Sequence, residues 1–484
     1  MIRISLFFLL LTTYSLGQNV AKEQLDHFVS DPAFKYASIS FEIKDLEENK
    51  SILSYDANRT LITASTAKLF STATALSILG PDYKSQTRLY ADGEIDSSGV
   101  LHGNLLIRGG GDPSFGSKYF NAPNDRVNLF HDWVIAIKKA GIKKIDGSII
   151  ADASEFGYQG VPDGWQWIDM GNYYGAGPSG LTIYDNLIEY TFTVPGKIGS
   201  IAQLDKIAPE FPGLDFESHI TASENKGDNA YIYGAPYQNH RFGQGTLPAG
   251  STAFKVKGSM PDPELMFAQE LQKTIEDQGI LISDHPSTTR STGVSTNDNY
   301  YNSKKLIHTH YSTDLIDIIK ETNYRSINLF AEHMITMIGY HKSGRGTSWE
   351  GLKQLENYWA GKIDLNGIRI ADGSGLSRSN AISAHHFVSM LSYMYAGKYG
   401  ELFKNTLPIS GKSGTLLNVC RGQKAEGRIQ AKSGSINGVR SYAGYIRGDS
   451  GKLYSFALIV NNADCGSSIL KRKMEVLFNS LATL

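Results

Sequence analysis

Ser65-Thr66-Ala67-Lys68 sets a hydroxyl three residues ahead of an amine, where an apolar-periodic run, STAKLFSTATALSILG, opens. On a helix that spacing returns the amine beside the hydroxyl, one turn along. A serine hydroxyl is a weak nucleophile and needs a base. A lysine serves when burial or a nearby cation depresses its pKa. The helix N-terminus also favours negative charge developing near Ser65. Alone the spacing is cheap, because it recurs at Ser223–Lys226 in a polar stretch and at Ser468–Lys471 along a terminal helical pattern.

Gripping an anionic substrate end and relaying protons calls for a second cation and a second hydroxyl. Lys-Ser-Gly occurs at 342–344, 412–414 and 432–434. Lys342 falls in the polar run HKSGRGTS and Lys412 in LPISGKSGTL, neither with strand alternation. Lys432 alone is followed by Gly434, Ser435 and a strand pair from 440. There a glycine lets substrate approach a sheet edge, with Lys432 and Ser433 beside it, so Lys432 is the expected cation. Ser326-Ile327-Asn328 adds a hydroxyl and an amide. Ser-x-Asn also starts at Ser223, Ser295 and Ser435, and only its place between two helical runs sets the Ser326 triplet apart.

These groups need a scaffold. With 484 residues against about 150 per domain, two or three domains are expected. Lys35–Lys44 alternates like a strand and Ser51–Tyr55 reads as its hairpin partner. The run from Ser65 ends at Gly80-Pro81. Residues 88–297 change to short strands with frequent Gly and Asp. They hold two similar units, 131–152 and 264–284, each a helix, a Gly stop and a strand. Between these, 187–257 reads as β-rich. Helical patterns return at 314–320, 327–338 and 349–359. Arg440–Arg447 and Leu453–Asn461 read as strands around the turn Gly448-Asp449-Ser450-Gly451. The last helix, from Ser467, aligns Leu470, Met474, Leu477, Phe478 and Leu481 on one face, as a core-packing helix does.

Residues 1–17, MIRISLFFLLLTTYSLG, combine one cation, a short apolar run and small residues before Gln18. That is a signal-peptide pattern, too short to span a bilayer. The chain is therefore expected to be exported, lose the signal, keep no stable membrane anchor and work outside the cytoplasm; the resemblance given below places that across the inner membrane, in the periplasm or at the cell-wall exterior. A formal net charge of -1, from 47 basic and 48 acidic residues, argues against nucleic acid as a partner. The two cysteines, Cys420 and Cys465, are too few for a metal cluster; a pair and two free thiols are both compatible with that setting. Twelve histidines show no metal spacing, so neither metal nor cofactor is expected. Gly411-Lys412-Ser413 lacks the glycine a phosphate loop needs at 406, which is Thr406. Gly109-Gly110-Gly111-Asp112 reads as a tight turn.

Ser-x-x-Lys, Ser-x-Asn and Lys-Ser-Gly in this order resemble penicillin-binding serine acyl-transferases and serine β-lactamases. The gap of about 260 residues between the first two motifs resembles the class C low-molecular-mass penicillin-binding proteins, peptidase family S13. IRGGGDPSF (107–115), YYGAGPSGLTIYDN (173–186), ADGSGLSRSN (371–380) and AKSGSINGVRSYAGYI (431–446) extend the likeness over nearly the whole mature chain. The resemblance implies an α+β fold. Residues 18–87 and 298–484 would form a transpeptidase-like domain, an antiparallel sheet flanked by helices. Residues 88–297 would be an inserted α/β- and β-rich region with a nested subdomain near 187–257.

It also implies a D-Ala-D-Ala carboxypeptidase or endopeptidase acting on peptidoglycan stem peptides, with β-lactams as covalent inhibitors. Ser65 would attack, Lys68 take its proton, Ser326 with Lys432 relay a proton to the leaving amine, and Asn328 hold Lys68 and the substrate amide. Ser65 and Ser435 N–H groups would form the oxyanion hole, while Lys432, Ser433 and Gly434 would meet the terminal carboxylate. Asp169, Tyr174, Arg378 and Asn437 match positions that grip a diaminopimelate side chain, a zwitterion that one acid and one guanidinium suit. Ile327 stands where Asp or Asn is usual, Ser433 replaces the common Thr and keeps its hydroxyl, and TAST replaces PAST. The alternatives are a β-lactamase and a non-catalytic wall-binding relative. Oligomeric state is not readable.

Overall fold

The computed structural model describes residues 17–121 and 128–484; the signal-peptide expectation lies, apart from Gly17, outside them. The chain forms two compact units. One comprises residues up to Gly80, Ile319–Ile327 and Leu352–Leu484; the other comprises Pro81–Ile318 and Asn328–Gly351.

The first unit is built on a five-stranded antiparallel sheet. Its order is Ile429–Ile436, Val439–Arg447, Leu453–Asn461, Ser38–Asp45 and Lys50–Tyr55. The middle strand, LYSFALIVN, is buried at all nine positions, as a run covered on both faces must be. Leu470, Met474, Leu477 and Phe478 of the terminal helix Ser467–Leu481 share one cluster with Phe28, Phe41 and Phe456. Each such side chain taken from water contributes about 1.5–3 kcal/mol. The helix Ala384–Ala396, capped by Ser383 accepting from the His386 N–H, is fastened to the sheet where Tyr445 donates its hydroxyl to the Leu391 carbonyl at 2.9 Å. The helix Lys68–Leu79 leans on Trp359 and Phe387 through Phe70, and Trp359 donates its indole N–H to Thr74 at 2.8 Å. The apolar seam thus fixes the helix that follows Ser65. Cys420 and Cys465 are free thiols.

In the second unit the strands Leu281–Ile282, Lys144–Ile145, Val100–Arg108, Gln86–Ile95 and Lys305–Tyr311 lie side by side, with Ile149–Asp152 joining Val100–Arg108 to Ser287–Thr288. The two similar sequence units meet here: 281–282 pairs in parallel with 144–145, and 287–288 with 150–151. Their helices, His131–Lys139 and Pro263–Asp277, bring Trp133 and Phe267 together over Phe115 and Phe130. Six strands from Leu187 to Ser259 form two three-stranded sheets. The helix Asn328–Ser343 is buried from Leu329 to Gly339. That packing carries it past the start of HKSGRGTS, so Lys342 sits in its last turn instead of the loop expected from polarity. No helix among the described residues is long and apolar enough to cross a membrane.

Candidate active site

The nucleophile candidate sits in a 3-10 turn, Ala64–Ala67, ahead of the α-helix that begins at Lys68. Ala64 holds a left-handed φ of +48°, a costly conformation for a residue with a Cβ. Neighbours from elsewhere in the first unit enforce it. Ser441 donates to the Thr63 carbonyl at 2.5 Å and lies 3.0 Å from the Thr66 hydroxyl. Gly375, at φ +79°, passes so close that a Cβ there would meet the Ala64 carbonyl at 1.9 Å.

Lys68, fully buried, donates to Ser65 Oγ at 3.0 Å and to the Ser374 carbonyl at 2.6 Å. The loop carrying Ser374 is wound around Asp372, whose carboxylate accepts from Gly375 N, Ser377 N and Asn380 Nδ2 at 2.6–2.8 Å. Asp372 and Ser374 had signalled themselves only as letters in ADGSGLSRSN, with no chemistry legible in them.

Lys432 stands on the edge strand of the sheet, fully buried, and donates to Ser326 Oγ at 2.8 Å and to the Ser433 carbonyl at 2.7 Å. Burial, and then the positive charge of Lys68, push Lys432 well below the ordinary lysine pKa. Ser326 has φ +62°, a second non-glycine residue in the left-handed region beside the same pair of lysines. Lys412 is instead committed to Glu426 at 2.5 Å.

Gly434 is small for a reason: a Cβ would lie 2.3 Å from Ser441 Oγ, 2.6 Å from the Thr63 carbonyl and 3.0 Å from Ser65 N. Ala431 N–H donates outward to the Pro408 carbonyl. By antiparallel alternation Ser433 and Ser435 N–H therefore point to that same open edge. Ser433 Oγ donates to Thr415 Oγ1 at 2.9 Å. Thr415 went unrecognised because it trails the discounted Lys412 motif. Arg378 reaches the Asn437 carbonyl at 3.1 Å. The first unit thus gathers Ser65, Lys68, Ser326, Lys432, Ser433, Gly434 and Ser435 into one constellation, and joins Arg378 to Asn437.

Asp169, Tyr174 and Asn328 belong to the second unit and form a group of their own. Asn328 Nδ2 donates to the Tyr174 carbonyl at 2.8 Å. Burial, and then the neighbouring Asp169 carboxylate, push the Tyr174 phenol up. Among the described residues no group of His, Cys, Asp and Glu could hold a metal ion.

A hydroxyl bonded to a buried amine, with a second buried amine–hydroxyl couple and an open strand edge, is equipped for acyl transfer. A family model described as "D-Ala-D-Ala carboxypeptidase 3 (S13) family" matches residues 21–483. A D-alanyl-D-alanine carboxypeptidase from an Actinomadura species is 27% identical over 93% of this chain and 82% of its own length. One from Haemophilus influenzae is 25% identical over 90% of this chain and 88% of its own. The crystal structure of penicillin binding protein 4 from Haemophilus influenzae superposes with a TM-score of 0.78 at 22% identity, covering 93% of this chain and 97% of that one. A second structure of that protein, complexed with a β-lactam, gives 0.73 over 93% and 95%. The likeness shows the α+β penicillin-binding fold.

Proposed function

This chain belongs to the D-Ala-D-Ala carboxypeptidase 3 (S13) family, and on that premise we propose that Ser65 is the nucleophile of a serine-type hydrolase trimming peptidoglycan stem peptides in the periplasm or at the wall exterior. The observation that carries the assignment is the Lys68–Ser65 contact of 3.0 Å beside the buried Lys432–Ser326 couple.

Ser65 Oγ attacks the carbonyl of the penultimate D-alanine and gives its proton to Lys68. The oxyanion forms where Ser65 N–H and Ser435 N–H point, donors worth about 3–4 kcal/mol each in such sites. As the C–N bond breaks, Ser326, held by Lys432, passes a proton to the leaving amine. Water then hydrolyses the ester and restores Ser65. Ser433 and Lys432, with Gly434 leaving room, receive the terminal carboxylate. Arg378 with Asn437 suits the carboxylate of a diaminopimelate end. β-Lactams trap the same Ser65. The leader at 1–17 supplies the export this location requires.

The test is labelling with fluorescent penicillin, followed by assay of D-alanine release from a pentapeptide. The wild type takes up a persistent label and releases D-alanine, while Ser65→Ala does neither. Rapid label loss without D-alanine release would make the protein a β-lactamase, and absence of both would leave a wall-binding role. Arg378→Ala is expected to cut turnover of diaminopimelate peptides roughly tenfold, the scale of one charge-assisted contact; unchanged turnover removes Arg378 from the pocket.

A further inference from the structure

In the second unit, the strands Asn229–Tyr233, His240–Pro248 and Asp215–Ser223 lie side by side in that order. Alternation divides their side chains between two faces. Ile220, Ala222, Ile232 and Leu247 turn into the core. The register sets the others in rows on the solvent side: Tyr233 beside Phe242 and Glu217, then Tyr231 beside Gln244 and His219, then Asn229 beside Thr246 and Thr221. Successive rows are about 7 Å apart. Trp167, on the short helix Trp167–Met170, joins the first row. Its ring lies 6.0 Å from Tyr233 and 6.5 Å from Phe242, and those two stack on each other at 4.9 Å. Trp167 is 50% exposed and Tyr231 41%.

One exposed ring needs no explanation, but a cluster of them in water marks a contact surface. The residues around the rings say what kind of contact. Among the described residues of this face there is no Val, Leu, Ile or Met to seat an apolar protein seam, and no Lys or Arg to draw an anion. Its two carboxylates are already engaged: Glu217 lies 2.8 Å from His219, and Asp215 lies 2.8 Å from His240. What remains is aromatic rings interleaved with amide, hydroxyl and imidazole groups. A pyranose is the complement of such a surface. The polarised C–H groups of its flat side meet the negative face of an aromatic ring, while its rim of hydroxyl and acetamido groups needs uncharged donors and acceptors. The face is also continuous with the group already described at Tyr174. The helix that carries Trp167 carries Asp169, and Asn172 Oδ1 fastens the same segment to the strand by accepting from Ile232 N at 3.0 Å. Two residues further on, the Tyr174 carbonyl accepts from Asn328.

We propose that this aromatic face is a glycan-binding site, which holds the uncharged N-acetyl amino-sugar backbone of the wall polymer whose stem peptides the enzyme cuts. The choice of a wall glycan rests on the peptidase reading given above; the sugar site itself rests on the face. Linked pyranoses running along the strands meet Trp167, Tyr233 and Phe242 in the first row, then Tyr231, Gln244 and His219 in the second. The inserted unit thereby binds the part of the polymer that carries no scissile bond.

The experiment is calorimetric titration of the full chain with a β-1,4-linked N-acetylglucosamine hexamer and with glycan strands stripped of their stem peptides. Both are expected to bind. Tyr233→Ala should weaken binding about tenfold, Tyr233→Phe should stay within about twofold because the ring remains, and Gln244→Ala should cost about threefold. Affinity holds as ionic strength rises, since no charge is shared with the ligand. Sugar binding shifts tryptophan emission to the blue, and Trp167→Phe loses that shift. Circular dichroism and D-alanine release from a glycan-free pentapeptide report the fold and the Ser65 site of each variant. A wild type that releases D-alanine but binds neither saccharide overturns the proposal and leaves the peptidase reading intact. So does salt-sensitive binding, or a concentration-dependent dimer that Tyr233→Ala dissolves without any sugar binding, which would make the face an interface between copies. A wild type that binds both saccharides yet neither takes penicillin label nor releases D-alanine keeps the sugar site and overturns the peptidase reading instead.

Discussion

Lys68→Met is expected to leave a protein that is folded, at least as heat-stable as the wild type, and slower in penicillin acylation by about 10³–10⁴-fold, the upper part of the range for loss of a positioned base. Methionine matches the length of the lysine stem but has neither a base nor a charge. The wild-type residue is fully buried, as is Lys432, and the charge of Lys68 is one of the two causes that hold Lys432 below its ordinary pKa. The base role takes the neutral amine, and methionine also ends the repulsion that protonation of both buried lysines would carry, so catalysis is lost without a loss of stability.

The same substitution lifts one cause and leaves the other. Lys432 should titrate at higher pH in the variant, read by NMR of ¹³C-methylated lysines, yet stay depressed by burial. The three readouts are coupled by one mechanism. Acylation within tenfold of wild type would remove Lys68 from the base role, and a collapse of Tm would show that its ammonium is a structural tie.

What was legible beforehand divides by range along the chain. The Ser65–Lys68 spacing, the strands at 440–447 and 453–461, and the apolar face of the terminal helix are local patterns of period 3.6 or 2, and the structure contains them. The 3-10 character of the Ser65 turn was not legible, because the left-handed φ at Ala64 is imposed by Gly375 and Ser441 from across the unit. Ser374 reaches Lys68 across 306 residues of sequence, a distance at which no periodicity speaks. Thr415 lies only 18 residues from Ser433, yet it was hidden because its own Lys-Ser-Gly triplet has no strand. Similarly, Ser-x-Asn says nothing of the left-handed backbone at Ser326, which depends on its surroundings. Motif letters name reacting groups; the groups that aim them come from the fold.

Glu264→Gln is expected to remove a pH dependence of stability worth about 4 kcal/mol between pH 4.5 and 8. Glu264 lies in the first turn of the helix Pro263–Asp277, fully buried, with Oε1 accepting from Ser179 at 3.2 Å and Oε2 unpartnered. Burial, then the neighbouring Asp262 carboxylate, push its pKa up to about 8, against a smaller opposing pull from Arg290. In the unfolded chain the group titrates near 4.5. Below that it is protonated in both states and costs nothing. As pH rises from 4.5 to 8 the unfolded chain releases the proton while the native state retains it, so stability falls across that window. His333, buried between Thr182 and the Gly111 carbonyl and lowered by burial to about 4, acts oppositely, since below pH 6.5 the unfolded chain gains a proton the native state refuses. Subtracting the variant from the wild type cancels His333 and isolates Glu264. Urea unfolding followed by tryptophan fluorescence suits the comparison, because Trp133, Trp165, Trp167 and Trp349 all lie in the unit that holds Glu264. The Gln variant should overtake the wild type progressively from pH 4.5 to 8; a constant difference across that range would mean the native carboxylate ionises at its ordinary pKa.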